Sequence, residues 1–243
     1  MQSDTDDAIW ADVLARAPHA ASALPLYAPL LGGPLVLGRI AQTLDGRIAT
    51  RSGASFWISG PDDIRHTHRL RALFDAVVVG AGTVRADDPL LTTRLCAGPS
   101  PVRVVLDTER RLGTGFRVFT DGRPTLLACA ADRAGDTHGG AGVIGVPRAG
   151  DGLDLAALLA ALRRRGLGRI FIEGGGVTVS RFLAAGLLDR LHVTIAPLLL
   201  GDGVPAFTLP GVARPQDGRR LDWTLHRLGA DILLDIPLAA APP

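Results

Sequence analysis

The chain has 243 residues, of which 47% are hydrophobic and 21% charged, enough for one generous domain or two small ones with a sizeable core. Its 26 basic and 24 acidic residues leave a net charge of +2 spread along the sequence, so the dense basic face of a nucleic-acid binder is absent. Two cysteines, Cys96 and Cys129, exclude a disulfide framework and a cysteine-rich zinc site and suit a reducing compartment. The start of the chain is acidic where a secretory signal would be basic, and the apolar run from Leu24 to Leu37 is broken by Pro25, Pro29, Gly32, Gly33 and Pro34. The expectation is a cytoplasmic protein without membrane contact.

Residues 1–33 read as an N-terminal extension, and 34–243 as the main domain. Ile9, Trp10, Val13 and Leu14 have helical spacing, which suits a short docking arm followed by a Pro- and Ala-rich connector. From Pro34 the pattern alternates. Leu35 to Gln42 predicts a strand, and Pro61 to Phe74 a helix opened by Ser59 and Pro61. Asp75 to Gly80, Pro101 to Asp107, Pro124 to Ala130 and Gly142 to Pro147 predict further strands, with a solvated Gly- and Asp-rich loop over Ala131 to Ala141. Asp154 to Arg165 is the clearest helix: Leu155, Leu158, Leu159 and Leu162 form one apolar stripe, and Gly166 can supply the left-handed stop. Arg169 to Ile172 predicts a strand, Val177 to Ala185 a helix and Leu191 to Leu200 a long strand. Leu221 to His226 and Ala230 to Ile236 predict a closing antiparallel hairpin. Strand and helix alternate between residues 142 and 200, which predicts an α/β class with a mostly parallel sheet flanked by helices.

Three segments carry residue types suited to chemistry. Glu173-Gly174-Gly175-Gly176 lies between a predicted strand and a predicted helix. Such a turn admits a close ligand and aims helix N–H groups at an anion, or it is merely a tight turn. Gly80 to Arg94 also follows a strand. Asp87 and Asp88 there suit a turn before Pro89, and Arg94 suits a phosphate or a surface ion pair. The stretch Ala41 to Ile58 contains an Asp45-Gly46 turn and Trp57, whose ring can stack on a flat ligand or plug the core. His66 and His68 diverge on a helix and lack a carboxylate or thiol at ligand spacing, so no metal site is expected.

In this order, Arg39-Ile-Ala-Gln-Thr-Leu-Asp-Gly-Arg-Ile-Ala-Thr50, Ser52-Gly-Ala-Ser-Phe-Trp-Ile58, Leu70-Arg-Ala72, Val79-Gly-Ala-Gly-Thr-Val-Arg-Ala-Asp-Asp-Pro-Leu-Leu-Thr92 and Ile172-Glu-Gly-Gly175 resemble the pyrimidine reductases of riboflavin biosynthesis. That family corresponds to the reductase half of the bacterial bifunctional deaminase–reductase. The resemblance runs from about residue 35 to about 237. It implies a dihydrofolate-reductase-like fold, NADPH as cofactor, a homodimer and a phosphorylated pyrimidine substrate. The reaction implied is reduction of 5-amino-6-(5-phosphoribosylamino)uracil to the 5-phosphoribitylamino product.

Residue by residue, the resemblance puts Ser55, Arg71, Leu90, Arg94 and Glu173 on the substrate. It puts Ala41, Trp57, Thr83, Asp87, Thr108 and the run Gly175, Gly176, Val177, Thr178, Val179, Ser180 and Arg181 on the cofactor. Glu173 and Asp87 are the catalytic candidates, and Arg110 and Arg111 could meet a 2′-phosphate. Arg39 stands where the family usually has Lys, and Thr43 where it has Ser. No His-x-Glu is paired with a Pro-Cys-x-x-Cys, so zinc-dependent deamination is not expected. The alternatives are a same-fold reductase of a pterin or of a specialised-pathway pyrimidine, and a catalytically silent ligand-binding relative.

Overall fold

A computed structural model describes residues 2–17, 19, 22, 24–56 and 58–238. Its strands are β1 (Leu35–Thr43), β2 (Arg47–Thr50), β3 (Ala76–Gly80), β4 (Val102–Leu106), β5 (Thr125–Ala130), β6 (Thr137–His138) and β7 (Ala141–Val146). They continue with β8 (Arg148–Ala149), β9 (Gly152–Leu153), β10 (Arg169–Glu173), β11 (Arg190–Ala196), β12 (Gly203–Pro205), β13 (Thr224–Leu228) and β14 (Asp231–Pro237). The principal helices are Gln2–Leu14, Pro61–Leu73, Ala81–Asp87, Leu155–Arg163 and Gly176–Ala184.

The chain divides into two compact units, one of residues 1–35 with 64–171 and one of residues 36–63 with 172–243. In the first, β3, β4, β5 and β7 pair in parallel, and β6 closes antiparallel on β7. Val77, Val78, Val79, Val104, Val105 and Leu127 are buried, the near-continuous apolar runs of parallel strands covered on both faces. The 155–163 helix forms as its stripe predicts, burying Leu158, Leu159 and Leu162. The Asp154 carboxylate accepts the Ala157 N–H at 2.9 Å, an N-terminal cap, and Gly166 takes φ 78° beyond the last turn.

In the second unit β1 pairs parallel with β11, and β14 joins β11 antiparallel before turning through Gly229 into β13. β2 and β12 form a separate antiparallel pair. The predicted α/β class, parallel pairing and C-terminal hairpin are all found. No helix among the described residues is long and apolar enough to cross a membrane.

Three local expectations are corrected. The strand predicted over Leu191 to Leu200 ends at Ala196, because Pro197 has no N–H for a ladder. The Leu200 and Gly201 amides turn instead onto the Asp45 carboxylate. The loop predicted over 131–141 contains a short helical turn and β6, and it buries His138 edge-on against Phe119 with centroids 4.8 Å apart. The Gly80 to Arg94 stretch, for which only a turn before Pro89 is expected, opens with a seven-residue helix over 81–87 that Asp88 ends in left-handed geometry at φ 39°.

Candidate active site

In the first unit, the 61–73 helix carries His68 and Arg71 three residues apart, hence on one face. Both hold the same loop. Arg71, almost entirely buried, donates from Nη1 to the Thr92 carbonyl at 3.0 Å, and His68 Nδ1 accepts the Arg94 N–H at 3.0 Å. Asp88 accepts the Arg117 N–H at 2.8 Å, and the Leu90 carbonyl accepts Arg103 Nη1 at 3.2 Å. Leu91, buried, sits at φ 55°, a left-handed conformation that a Leu adopts only when its surroundings hold it there. The backbone from 88 to 94 is therefore tightly determined, while the Arg94 residue is exposed.

Thr83 is half-buried in the 81–87 helix, and Asp87 ends that helix with its carboxyl shifted upward by partial desolvation. Thr108 lies just beyond β4, its carbonyl accepting the Ala130 N–H at 3.0 Å. Arg110, which the sequence offered with Arg111 to a 2′-phosphate, is half-buried. Its guanidinium donates to the Arg133 and Thr137 carbonyls and to His138 Nδ1. Arg111 is exposed.

In the second unit, β10 ends at half-buried Glu173, and the chain passes through Gly174 at φ 65° and Gly175 at φ 69° into the 176–184 helix. The two positive angles favour residues without a Cβ. Gly176 is glycine for a different reason: a Cβ there would stand 2.5 Å from the Ala206 carbonyl oxygen. Over Gly174, by contrast, nothing lies within 4 Å of a Cβ position, so the turn is open to a close ligand. The first N–H groups of the helix have no acceptor within it.

The run expected to hold the cofactor divides by exposure. Val177 and Arg181 are exposed, whereas Thr178, Val179 and Ser180 are buried, and Ser180 Oγ accepts the Thr208 N–H at 2.9 Å. The Thr178 N–H is taken by the Gly175 carbonyl at 2.9 Å, so what this run offers a ligand is the backbone of residues 175–177 and the Val177 and Arg181 side chains. Ala41 on β1 and Ser55 in the 51–56 stretch are half-buried. Trp57 lies outside the described residues.

Sequence reasoning passed over a buried charged network in the second unit. Asp63, with no exposed surface, binds Arg39 and accepts the Thr194 hydroxyl at 2.7 Å. Burial pushes its carboxyl up, but the Arg39 charge and the hydrogen bonds from Arg39, Ser59 and Thr194 outweigh that and lower it. Asp235 binds Arg190 at 2.8 Å and His192 at 3.3 Å. There too burial raises the pKa, and the two basic partners outweigh it to hold the carboxyl at about 2. Charged residues inside apolar strands, Arg39 opposite His192 on β1 and β11, were the available signal.

The family model described as the RibD C-terminal domain matches residues 34–232. The 2,5-diamino-6-ribosylamino-4(3H)-pyrimidinone 5′-phosphate reductase of Methanothermobacter thermautotrophicus is 39% identical over 215 residues, covering 83% of this chain and 97% of that protein. The riboflavin biosynthesis protein RibD of Bacillus amyloliquefaciens is 34% identical over 211 residues, 84% of this chain but only 57% of its own length. Among solved structures, a diaminohydroxyphosphoribosylaminopyrimidine deaminase/5-amino-6-(5-phosphoribosylamino)uracil reductase from Thermotoga maritima superposes with a TM-score of 0.72 at 25% identity, over 91% of this chain and 62% of that one.

Proposed function

The chain belongs to the RibD C-terminal domain family, and on that premise we propose that it is an NADPH-dependent reductase of a phosphoribosylamino-pyrimidine in riboflavin biosynthesis. One observation carries the reading: the match to the archaeal reductase covers 97% of that protein, so it extends over a whole reductase rather than a shared fragment. The substrate is 5-amino-6-(5-phosphoribosylamino)uracil. A second form of it, the 2,5-diamino-pyrimidinone that has not lost its amino group, is favoured by the name of the archaeal relative.

The residues fit a nicotinamide dinucleotide at the glycine turn, where the open space over Gly174 and the N-terminus of a nine-residue helix suit a pyrophosphate. Gly175, Gly176 and Val177 would hold it through their backbone. When bound, the cofactor supplies a hydride to the imine carbon of the open-chain sugar, whose nitrogen takes a proton as the C=N bond becomes C–N. Arg71 and Arg94 bind the substrate phosphate, and Leu90 packs on the sugar. Glu173 accepts hydrogen bonds from pyrimidine N–H or sugar hydroxyl groups and so orients the reacting carbon. Asp87, whose carboxyl partial desolvation shifts upward, is the second catalytic candidate beside Glu173 and a group that can exchange a proton. Ser55 lines the substrate, and Ala41, Trp57, Thr83 and Thr108 the cofactor. Exposed Arg111, with Arg110 beside it, is offered to a 2′-phosphate.

Residues 34–243 constitute the reductase domain in this proposal, with 1–33 as an extension to it. The protein is cytoplasmic and a homodimer, the latter supported by exposed Trp223, Leu225 and Ile232 on the β13–β14 hairpin and its approach. The test is oxidation of NADPH and of NADH by the purified protein with each pyrimidine and with dihydrofolate. Turnover of a phosphoribosylamino-pyrimidine with NADPH preferred is expected. Turnover of dihydrofolate alone would replace the reading with a pterin reductase.

A further inference from the structure

Residues 1–33 lie outside the stretch matched by the family, yet the described part of that segment is built into the first unit. Trp10 is 1% exposed and Val13 fully buried. Trp10 Nε1–H donates to the Ala97 carbonyl at 2.8 Å, across 87 residues of sequence. Its ring meets Tyr27 edge-on at 5.4 Å, and the Arg69 guanidinium lies 5.0 Å from the Trp10 ring centre and 5.9 Å from that of Tyr27, within cation–π range. Tyr27 hydrogen-bonds His66 Nδ1 at 2.9 Å. Arg169 fastens the end of the segment by donating to the carbonyls of Leu30, Gly32 and Gly33.

Among these contacts the Trp10 bond to Ala97 reaches the loop that carries Arg94. One wall of that loop is the 61–73 helix, through His68 to the Arg94 N–H and Arg71 to the Thr92 carbonyl. The other wall is the N-terminal helix. At Gly98 the two close together: a Cβ there would stand 2.7 Å from that of Ala72 and 3.3 Å from a Leu14 methyl. Within the loop, Thr93 ties back to the Pro99 carbonyl and the Ser100 hydroxyl. The loop is thus clamped from both sides at 92–98, and one of the two jaws is a segment that the family pattern does not include.

We propose that the N-terminal helix is a positioning element for the substrate's 5′-phosphate, with Trp10 holding the 92–98 loop so that Arg94 meets that phosphate. The inference rests on the reductase reading above for the identity of the phosphate. A structural anchor without this role would affect melting and leave the kinetics of the folded enzyme untouched. Fixing a loop in its binding conformation removes an ordering cost from binding, so its loss is read in substrate affinity.

Trp10→Phe keeps a six-membered ring beside Arg69 and Tyr27 but removes the pyrrole part of the indole with its N–H, leaving the Ala97 carbonyl without this donor and a small buried void. The variant should raise KM for the phosphorylated pyrimidine about five-fold, the equivalent of one neutral hydrogen bond. KM for NADPH and kcat should stay close to wild type, while the melting temperature falls with the buried void and the lost hydrogen bond. The increase should vanish with the dephosphorylated ribosylamino-pyrimidine, and amide exchange over 94–98 should quicken. Tyr27→Phe, which removes the bond to His66, should act in the same direction and serves if Trp10→Phe folds poorly. Unchanged exchange over 94–98 would overturn the clamp. Faster exchange with unchanged KM, or a KM raised equally for the dephosphorylated substrate, would overturn the phosphate role. A wild-type protein that reduces neither pyrimidine would refute the reductase reading and the phosphate role with it, while exchange still decides the clamp.

Discussion

Replacing Gly176 by Ala tests whether the glycine turn is shaped by packing as well as by backbone angles. The added methyl would stand 2.5 Å from the Ala206 oxygen and 2.9 Å from that of Pro205, against the roughly 3.3–3.6 Å of a comfortable C···O approach. Both acceptors are backbone, so neither can rotate away. Nor can their segment retreat. The Ala206 N–H is bonded to the Gly46 carbonyl at 3.0 Å, and Gly203 is packed so closely on β2 that its own Cβ would meet the Ala49 oxygen at 2.4 Å. The helix N-terminus must move instead, and overpacking of this kind costs about 1–3 kcal/mol. Alanine's better helix propensity returns at most about 1 kcal/mol. A net loss of about 1–2 kcal/mol lowers the melting temperature of a chain this size by about 2–8 °C. The same shift displaces the N–H groups proposed to hold the cofactor, so KM for NADPH should rise. Gly174, open but at φ 65°, should show the opposite preference: Asn, which tolerates left-handed geometry, should cost less than Ala there. At Gly176 the larger Asn should cost more. Thermal melts of the four variants decide it, and a Gly176→Ala protein melting level with wild type would refute the close-packing argument.

Glu173→Gln keeps the shape of the side chain and removes its charge, so kcat/KM should fall about ten-fold with an unchanged melting temperature; unchanged kinetics would remove Glu173 from the site. Asp63→Asn strips the buried counter-charge of Arg39 and should cost about 3–5 kcal/mol in denaturant unfolding, a loss well beyond that of an exposed-pair variant such as Asp217→Asn. Asp235 carries its stabilisation above the unfolded carboxylate pKa and loses it as pH falls through the folded value of about 2. Stability should therefore drop by about 2 kcal/mol between pH 4 and pH 2 on its account, and an Asp235→Asn variant with the same acid slope as wild type would contradict this.

What was legible in the sequence depended on how far apart the determining residues lie. The 155–163 helix needs only its own Leu stripe, the Asp154 cap and the Gly166 stop, all within a dozen residues, and it forms as predicted. The 81–87 helix is too short for any periodicity to register. Its end depends on Asp88, whose carboxylate takes the Arg117 N–H 29 residues away. β6 has two residues, and its His138 is buried by Phe119 rather than by its own neighbours. The charged network was hidden for the same reason: Asp63 in the first turn of a helix reads as a complement to the helix dipole, and its hydroxyl partner Thr194 lies 131 residues on.

The candidate site follows this rule. The glycine turn is a contiguous motif and was read with its strand and helix in place, though only the structure separates Gly174 and Gly175, kept for their angles, from Gly176, kept for its closeness. Long arginines were the least legible, because several carbonyls can claim one guanidinium. Arg110, offered by the sequence to a 2′-phosphate, also gives donors to the 133–138 loop. Arg71, assigned to substrate phosphate, gives at least one of its donors to Thr92. That second commitment is compatible with function, since a guanidinium has five N–H donors. By bonding Thr92 it steadies the loop on which Arg94 stands, so the two arginines named for one phosphate are linked by two residues of backbone. Substitution at Arg71 should therefore weaken binding through Arg94 as well, and the two losses should combine non-additively.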